Sequence, residues 1–156
     1  MANAIDAKLE QLGVTLPQAA APAANYVPFM QSGNQLFISG QLPLVDGKLS
    51  HTGQLGAGVI VSEAQEAAKN CAINILAQAK AALGGDLSRI TRVVRISCMV
   101  SSAPDFYEHH LVANGASNFL ADVLGEAGKH ARAAYGVSAL PLNAAVEIDA
   151  ILEVKS

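Results

Sequence analysis

The segment from His130 to Val154 reads HARAAYGVSALPLNAAVEIDAILEV and contains the last two strands of the predicted sheet. Successive side chains of a strand point to opposite faces, and one face of the second half of this segment is apolar throughout. That face comprises Ala144, Val146, Ile148, Ala150, Leu152 and Val154. Glu147, Asp149 and Glu153 point the other way, so the pattern predicts a half-buried strand.

A second strand, which carries Arg132 among small residues, is predicted ahead of this one. Residues 140–143, Leu-Pro-Leu-Asn, favour a tight turn and so predict an antiparallel hairpin with Ala139 opposite Ala144. In that register Arg132 shares a face with Glu147 and lies about 13 Å from it, at ~3.3 Å per residue. Two interpretations follow. Either a bound ligand spans the gap, or the two groups meet different partners across a subunit interface.

The small residues around Arg132 leave its guanidinium group uncovered. A planar guanidinium is the natural bidentate partner of a small carboxylate, so Arg132 is a candidate anion clamp. The alternative is a structural arginine that pairs with an acidic neighbour at an interface. Glu147 also has a simpler interpretation, as a solvated carboxylate on an exposed strand face.

Turn signals and hydrophobic periodicity organise the rest of the chain. A short helix is predicted over 5–12, a connector rich in Ala and Pro over 17–22, and an irregular segment over 48–59. Ser32-Gly33-Asn34 predicts a hairpin between strands 26–30 and 35–39, and Asp46-Gly47 predicts another turn.

Two long helices flank a further predicted strand. Ser62 with Gln65 predicts the start of the first helix, which stops at Gly84-Gly85, and Ser102 with Asp105 predicts the start of the second, which ends near Gly125–Gly128. Between them, residues 92–100 alternate with one apolar side, which comprises Val94, Ile96, Cys98 and Val100. This order predicts an α+β fold, with a mixed sheet covered on one face by two helices.

Composition favours a packed globule that is completed by assembly. Of the 156 residues 51% are hydrophobic, but only 4% are aromatic and none is tryptophan. Alanines occur in every segment, so helices and strands must pack closely on small side chains. We expect one domain over residues 1–156, and oligomerisation to supply the burial that this thin core lacks.

Charge and hydropathy disfavour two classes of partner. The net charge is −3, Lys and Arg total 10, and no basic run is interleaved with aromatics, so a nucleic-acid surface is not expected. Residues 1–16 include Asp6, Lys8 and Glu10 in place of a long apolar run, and no segment reaches the ~20 apolar residues of a membrane span. We therefore expect a cytoplasmic protein without a membrane partner.

The cysteines and histidines do not predict a metal site. Cys71 and Cys98 have no paired spacing and fall at apolar positions, which indicates buried, reduced thiols. His109 and His110 are adjacent, so they leave a helix about 100° apart and cannot grip a metal as an i, i+4 pair would. Asp105 and His109 have the i, i+4 spacing that a metal-binding pair needs, but an exposed local pair is the commoner interpretation.

Short motifs are spaced along nearly the whole chain. They are Asn25-Tyr26, Ser39-Gly40-Gln41-Leu42-Pro43, Asn114 on the second helix, Arg132, Leu140-Pro141 and Glu147-Ile148-Asp149-Ala150. In this order and spacing they resemble the Rid family (YjgF-like, also labelled endoribonuclease L-PSP). The resemblance implies a chorismate-mutase-like fold, a homotrimer with clefts between subunits, and hydrolytic deamination of small imino and enamino acids.

The resemblance also implies roles for individual residues. Arg132 would clamp the substrate carboxylate, and Glu147 would position or activate the attacking water. The pocket would be lined by Tyr26, Ser39, Gly40 and Asn114.

Two positions depart from the family pattern. Active members usually show a proline two residues before the arginine, where this chain has His130. They usually show a cysteine two residues after it, where this chain has Ala134, so Ala134 is expected in the substrate-binding cleft without a reactive thiol. The chain is thus similar to a divergent branch of the family.

The leading hypothesis is therefore an enzyme that converts small 2-imino or 2-enamino acids to 2-keto acids and ammonia. No cofactor is expected, because the imine carbon is already electrophilic, and no metal is expected. The competing hypothesis is a non-catalytic trimer that binds a small carboxylate or has a regulatory role. RNA cleavage is less favoured because the phosphate-neutralising surface is missing.

Overall fold

A computed structural model describes residues 3–21 and 24–155, so Pro22 of the predicted connector lies outside the described residues. The helices are α1 (Ala4–Gln11), α2 (Val61–Ala82) and α3 (His109–Leu124). The main sheet contains β1 (Phe29–Ser32), β2 (Gln35–Gln41), β7 (Ile90–Ser101), β8 (Ala131–Val137) and β9 (Val146–Val154). Two short ribbons lie between β2 and α2, namely β3 (Leu44–Val45) with β4 (Lys48–Leu49), and β5 (Gln54–Leu55) with β6 (Gly58–Val59).

The five strands form a mixed sheet in the order β1-β2-β9-β7-β8. Pairing is antiparallel except between β7 and β8, which run parallel. The long helices α2 and α3 cover one face of this sheet, and α1 packs beside α3. The predicted α+β class, with two helices over one face of a mixed sheet, is confirmed.

Strand β9 lies at the centre of the sheet and has the alternation that its sequence predicts. Its helix-facing residues are Val146, Ile148, Ala150, Leu152 and Val154, and all of them are buried. The opposite residues are half-buried or exposed, because none of the helices within residues 3–21 and 24–155 lies on that face of the sheet. We call this uncovered side the open face.

The predicted hairpin between the Arg132 strand and the Glu147 strand is wrong. β8 pairs in parallel with β7, and β7 separates it from β9. Helix α3 connects β7 to β8 and returns the chain to the end of the sheet at which β7 begins. β8 therefore runs in the same direction as β7. Residues 138–145 then cross to the other side of β7, and Leu140-Pro141 belongs to this crossing and not to a hairpin turn.

Three local predictions are also corrected. Ile60 caps α2, and Glu63 Oε1 accepts its N–H at 3.1 Å, so Ser62 lies inside the helix. α3 begins at His109 instead of near Ser102. Register shifts early in β7 bury Val93 in place of Val94.

Other predictions hold. The Gly33 hairpin and the Asp46-Gly47 turn are present, with positive φ at Asp46 (52°) and Gly47 (79°). Both cysteines are free and buried. Burial raises the pKa of the Cys71 thiol well above its usual range and that of Cys98 to about 12. Within residues 3–21 and 24–155, no helix is long and apolar enough to cross a membrane.

Candidate functional site

Arg132 points toward the helix layer from the edge strand β8. It aligns with Ile96 of β7, which is buried under the helices, and residues paired in register share a face of the sheet. Its Nη1 donates to Asn114 Oδ1 at 2.9 Å and to Ser117 Oγ at 3.0 Å, and its Nη2 donates to the His110 carbonyl at 3.1 Å. All three acceptors belong to α3, which therefore fixes the guanidinium.

These contacts use three of the five N–H groups of Arg132. The Nε–H and the second N–H of Nη2 have no partner among the described residues. The Nε and Nη2 atoms lie on one edge of the guanidinium plane, and this is the edge that a carboxylate engages side-on with two parallel hydrogen bonds. Helix α3 thus holds Nη1 and Nη2 in place, and Nε–H with one N–H of Nη2 remains available.

The neighbours of Arg132 include two residues that the sequence did not single out for this role. Ser117 Oγ lies 2.8 Å from His130 Nε2, and His130 Nδ1 lies 2.6 Å from the Gly128 carbonyl oxygen. Ala134, two residues further along β8, points to the same side as Arg132 and packs against the core. We call Arg132, Asn114, Ser117, His130 and Ala134 the arginine group.

A second group of predicted site residues surrounds Glu147. A Cβ placed on Gly40 would overlap Glu147 Oε2, so the carboxylate packs directly against the Gly40 backbone. The register of β2 against β9 shifts between Ile38 and Gln41, which is the kind of irregularity that re-aims backbone at functional sites. Ser39 Oγ donates to the Val27 carbonyl at 2.9 Å, which ties the segment before β1 to this irregularity.

Two clefts open beside Gly40. The larger, about 620 Å³, lies on the open face and includes Tyr26, Ser39, Gly40, Asp149 and Ile151 in its lining. The smaller, about 190 Å³, shares Tyr26, Ser39 and Gly40 and extends toward Gln78 of α2. Tyr26, Ser39 and Gly40 line both clefts, Glu147 contacts Gly40, and we call these four residues the glutamate group.

The electrostatics of the glutamate group favour proton uptake. Glu147 is half-buried, and this burial, followed by the charge of Asp149, raises the pKa of its carboxyl. Burial likewise raises the pKa of Asp149, although a Ser97 hydrogen bond and Arg95 oppose that shift. An elevated pKa is a common property of carboxylates that take part in acid–base chemistry.

Within one chain the two groups do not meet. Arg132 of β8 pairs in register with Ile96 of β7, and Ile96 pairs with Ala150 of β9. Glu147 therefore lies two strands across the sheet from Arg132 and three residues along β9 from Ala150. At ~4.8 Å per strand and ~3.3 Å per residue this offset is about 14 Å, and the two side chains point to opposite faces. A ligand of a few atoms cannot touch both in the same chain.

A separate cleft of about 580 Å³ lies where β8 ends beside α3. At its floor Ser102 Oγ and His109 Nε2 are 3.0 Å apart. A Cβ on Gly136 would crowd both atoms. Burial, followed by the nearby His110, lowers the pKa of His109, so its imidazole favours the neutral form. The predicted pairing of His109 with Asp105 is absent from the hydrogen bonds and ion pairs of the described residues.

No metal centre is evident in the part of the chain that the structure describes. No group of three or more His, Cys, Asp or Glu side chains there is arranged to hold an ion.

Comparison with known proteins identifies the family to which this chain is similar. The model described as "YjgF/chorismate mutase-like, putative endoribonuclease" matches residues 6–154. Protein TCP17 of Trypanosoma cruzi is 51% identical over 97% of this chain and 95% of its own length. The crystal structure of Atu1372 from Agrobacterium tumefaciens, described as of unknown function, is 58% identical, covers 97% of this chain and 93% of its own, and has a TM-score of 0.92.

A more distant relative has a name that states an activity. The 2-iminobutanoate/2-iminopropanoate deaminase of Mus musculus is 31% identical over 138 residues, which cover 88% of this chain and 87% of its own length.

Proposed function

The chain belongs to the YjgF/chorismate mutase-like family, which includes the Rid proteins, and we propose that it hydrolyses small 2-imino or 2-enamino acids to 2-keto acids and ammonia. The observation that carries this proposal is that α3 fixes the Arg132 guanidinium, while its Nε–H and one N–H of Nη2 have no partner among the described residues. The name of the mouse relative supports the same reaction class.

We further propose that the working unit is a homotrimer whose clefts lie between subunits. The arginine group of one copy and the glutamate group of a neighbouring copy would then face the same ligand. The opposite orientations of Arg132 and Glu147 within one chain support this arrangement, since each group alone contains only half of the required chemistry. A small carboxylate is the ligand class that fits the arginine group.

The proposed reaction is an addition followed by an elimination. Arg132 binds the substrate carboxylate and holds C2 in a fixed position. Glu147 of the neighbouring copy accepts a proton from water as its oxygen bonds to C2, and this forms a tetrahedral carbinolamine. The same carboxyl returns this proton to nitrogen, then moves the hydroxyl proton to nitrogen as C=O forms and the C–N bond breaks, and a 2-keto acid and ammonia leave. Because the imine carbon is already electrophilic, no cofactor is needed.

Tyr26, Ser39, Gly40 and Asn114 have supporting roles in this proposal. Gly40 allows the Glu147 carboxylate to approach the β2 backbone, where a side chain would displace it. Asn114 orients Arg132. Tyr26 is exposed within one chain and lines both clefts beside Gly40, so it is placed to cover a substrate.

A second candidate is a trimer that binds small carboxylates without turning them over. The arginine group supports it, because all of its contacts are made within one chain and do not need Glu147. Ala134 in place of the family's cysteine also removes a reactive group from the cleft. RNA cleavage is disfavoured by the net charge of −3.

One experiment separates these candidates. Serine dehydratase releases 2-aminoacrylate from serine, and pyruvate formation is followed with and without this protein. We expect the protein to accelerate the initial rate above that of solvent, and Arg132→Lys to lower the acceleration. Hydrolysis at the solvent rate, with 2-keto-acid binding intact, would favour the binding protein instead.

A further inference from the structure

His130, Ser117 and Arg132 form a continuous chain of hydrogen bonds beside the proposed carboxylate site. Ser117 Oγ lies 3.0 Å from Arg132 Nη1 and 2.8 Å from His130 Nε2, and His130 Nδ1 lies 2.6 Å from the Gly128 carbonyl. We infer that His130 is a positioning residue, which acts through Ser117 to fix the Arg132 guanidinium for carboxylate binding. This inference rests on the proposed function.

The chemistry of the partners sets the direction of each bond. A carbonyl oxygen only accepts, so Nδ1 of His130 carries the proton that is donated to Gly128. In a neutral imidazole Nε2 is then the acceptor, and the Ser117 hydroxyl donates its hydrogen to it. The lone pairs of Ser117 Oγ remain free to accept from Arg132.

Without this acceptor, Ser117 would have a competing partner. A serine in the middle of a helix tends to donate its hydroxyl to the carbonyl four residues earlier, which here belongs to Ala113 of α3. That rotation turns the oxygen away from its present partners. His130 therefore holds the serine in the rotamer that supports Arg132.

The chain of bonds has a rigid anchor. Gly128 is buried, and a Cβ there would overlap the Leu120 carbonyl oxygen, so the turn Gly125–Gly128 is packed tightly on α3. Ser117 is part of the same helix. His130 lies two residues before Arg132, so both side chains leave the backbone on the same side.

The benefit of this arrangement is preorganisation. An arginine side chain has many rotamers, and fixing them only when a ligand binds would reduce affinity. Contacts from α3 fix Arg132 in advance, and the imidazole secures one of them. The histidine at this position thus has a specific task in this chain.

Conservative substitutions test the chain of hydrogen bonds from His130 through Ser117 to Arg132, which we call the relay. His130→Gln keeps an acceptor near the position of Nε2, whereas His130→Asn keeps a donor near Nδ1 but loses that acceptor. Ser117→Thr keeps the hydroxyl and Ser117→Ala removes it. His51→Asn is the matched control, because His51 bonds to a serine, Ser50, outside both site groups.

The first measurement is the mobility of Arg132, from ¹⁵N NMR of the rotation about its Cζ–Nη bonds in the unliganded protein. We expect faster rotation in His130→Asn and Ser117→Ala, and near-native rotation in His130→Gln, Ser117→Thr and His51→Asn. Unchanged rotation in both His130→Asn and Ser117→Ala would overturn the inference, whatever the protein binds.

The second measurement is the affinity for 2-ketobutyrate, from calorimetry on variants of matched thermal stability. We expect about 3- to 10-fold weaker binding in His130→Asn and in Ser117→Ala. The double variant should bind no more weakly than Ser117→Ala alone, because both changes break one relay. Fully additive losses would overturn the inference. No 2-ketobutyrate binding by the wild type would contradict the proposed function, while the NMR result still decides on the relay.

Discussion

Arg132 and Glu147 point to opposite faces of one sheet, and strand β7 lies between the two strands that carry them. Each has its own surroundings, which are the polar groups of α3 for the arginine and the Gly40 backbone for the glutamate. If one small substrate uses both, two copies of the chain must contribute to each cleft. The first prediction follows from this geometry.

Mixing two impaired variants in equal amounts should restore part of the activity. Arg132→Lys retains an intact glutamate group, and Glu147→Gln retains an intact arginine group. After the variants are unfolded and refolded together, about a quarter of the clefts in randomly assembled trimers should combine both native residues. The measurement is imine hydrolysis by the mixture and by each variant refolded alone.

Light scattering provides the control for this test, and should report roughly three times 16.0 kDa for each variant and for the mixture. A mixture no more active than the sum of its parts would mean that Arg132 and Glu147 do not act together on one substrate across a subunit interface. A stable monomer would remove the intersubunit cleft altogether.

Replacing Arg132 with lysine should weaken small-carboxylate binding by about 1 to 3 kcal/mol. Lysine keeps the positive charge but loses the planar edge that presents Nε–H and Nη2–H together. Calorimetry with pyruvate or 2-ketobutyrate measures the change, and Arg92→Lys is the matched control, because Arg92 is largely exposed and pairs weakly with Glu153 at 3.9 Å. Equal affinities of the wild type and Arg132→Lys would make Arg132 a structural residue.

Replacing Glu147 with glutamine should affect turnover more than binding. Glutamine preserves the size and most hydrogen bonding of the side chain but cannot take a proton from water. We expect imine hydrolysis to slow by about 10- to 1000-fold while 2-keto-acid affinity changes little. The comparison uses the initial rate of pyruvate release and the calorimetric affinity of the same preparations. A turnover equal to that of the wild type would return Glu147 to the role of a polar residue on a strand.

The same variant should change how stability depends on pH. The pKa of Glu147 is raised in the folded state, chiefly by burial, so the folded chain binds more protons than the unfolded chain between the ordinary value of 4.5 and the elevated one. This carboxyl therefore lowers the free energy of unfolding as pH rises through that window. Glu147→Gln should raise the melting temperature at pH 7, with the gain disappearing below about pH 4. A gain that persists at low pH would have a cause other than ionisation.

Adding a methyl group at Gly40 should disturb Glu147 directly. The new Cβ of Gly40→Ala would overlap Glu147 Oε2, so we expect lower turnover and a loss of about 1 to 3 kcal/mol of stability. In a Glu147→Ala background the space is vacant, and the same change should cost much less stability. Thermal unfolding of the four proteins in this cycle gives the coupling. Equal costs in both backgrounds would mean that the strain arises elsewhere.

The sequence predicts individual strands and helices better than it predicts which strands pair with each other. The alternation of β9 identifies its buried face correctly, because one face of an amphipathic strand is evident from period two alone. Its partners could not be predicted in this way, because a proline-containing connection fits a tight turn and a strand crossing equally well. The insertion of β7 between β8 and β9 depends on α3, whose return to the sheet is a tertiary property.

The candidate site was predictable to the same extent. Arg132 stands out among small residues, and Glu147 stands out on a polar face. The contribution of Ser117 was not predictable, because a serine in a helix has no distinctive pattern. In the sequence His130 stands out only as a departure from a family pattern, and its hydrogen bond to Ser117 requires the packing of β8 against α3.

The burial of Cys71 and Cys98 also has a consequence for how the protein responds to oxidants. Sulfenic acid formation and alkylation proceed through the thiolate, and at neutral pH neither sulfur loses its proton or contacts solvent. Ala134 adds no sulfur beside the arginine. A maleimide should therefore leave both thiols of the folded chain unmodified, and the protein should need no thiol reductant to keep them reduced.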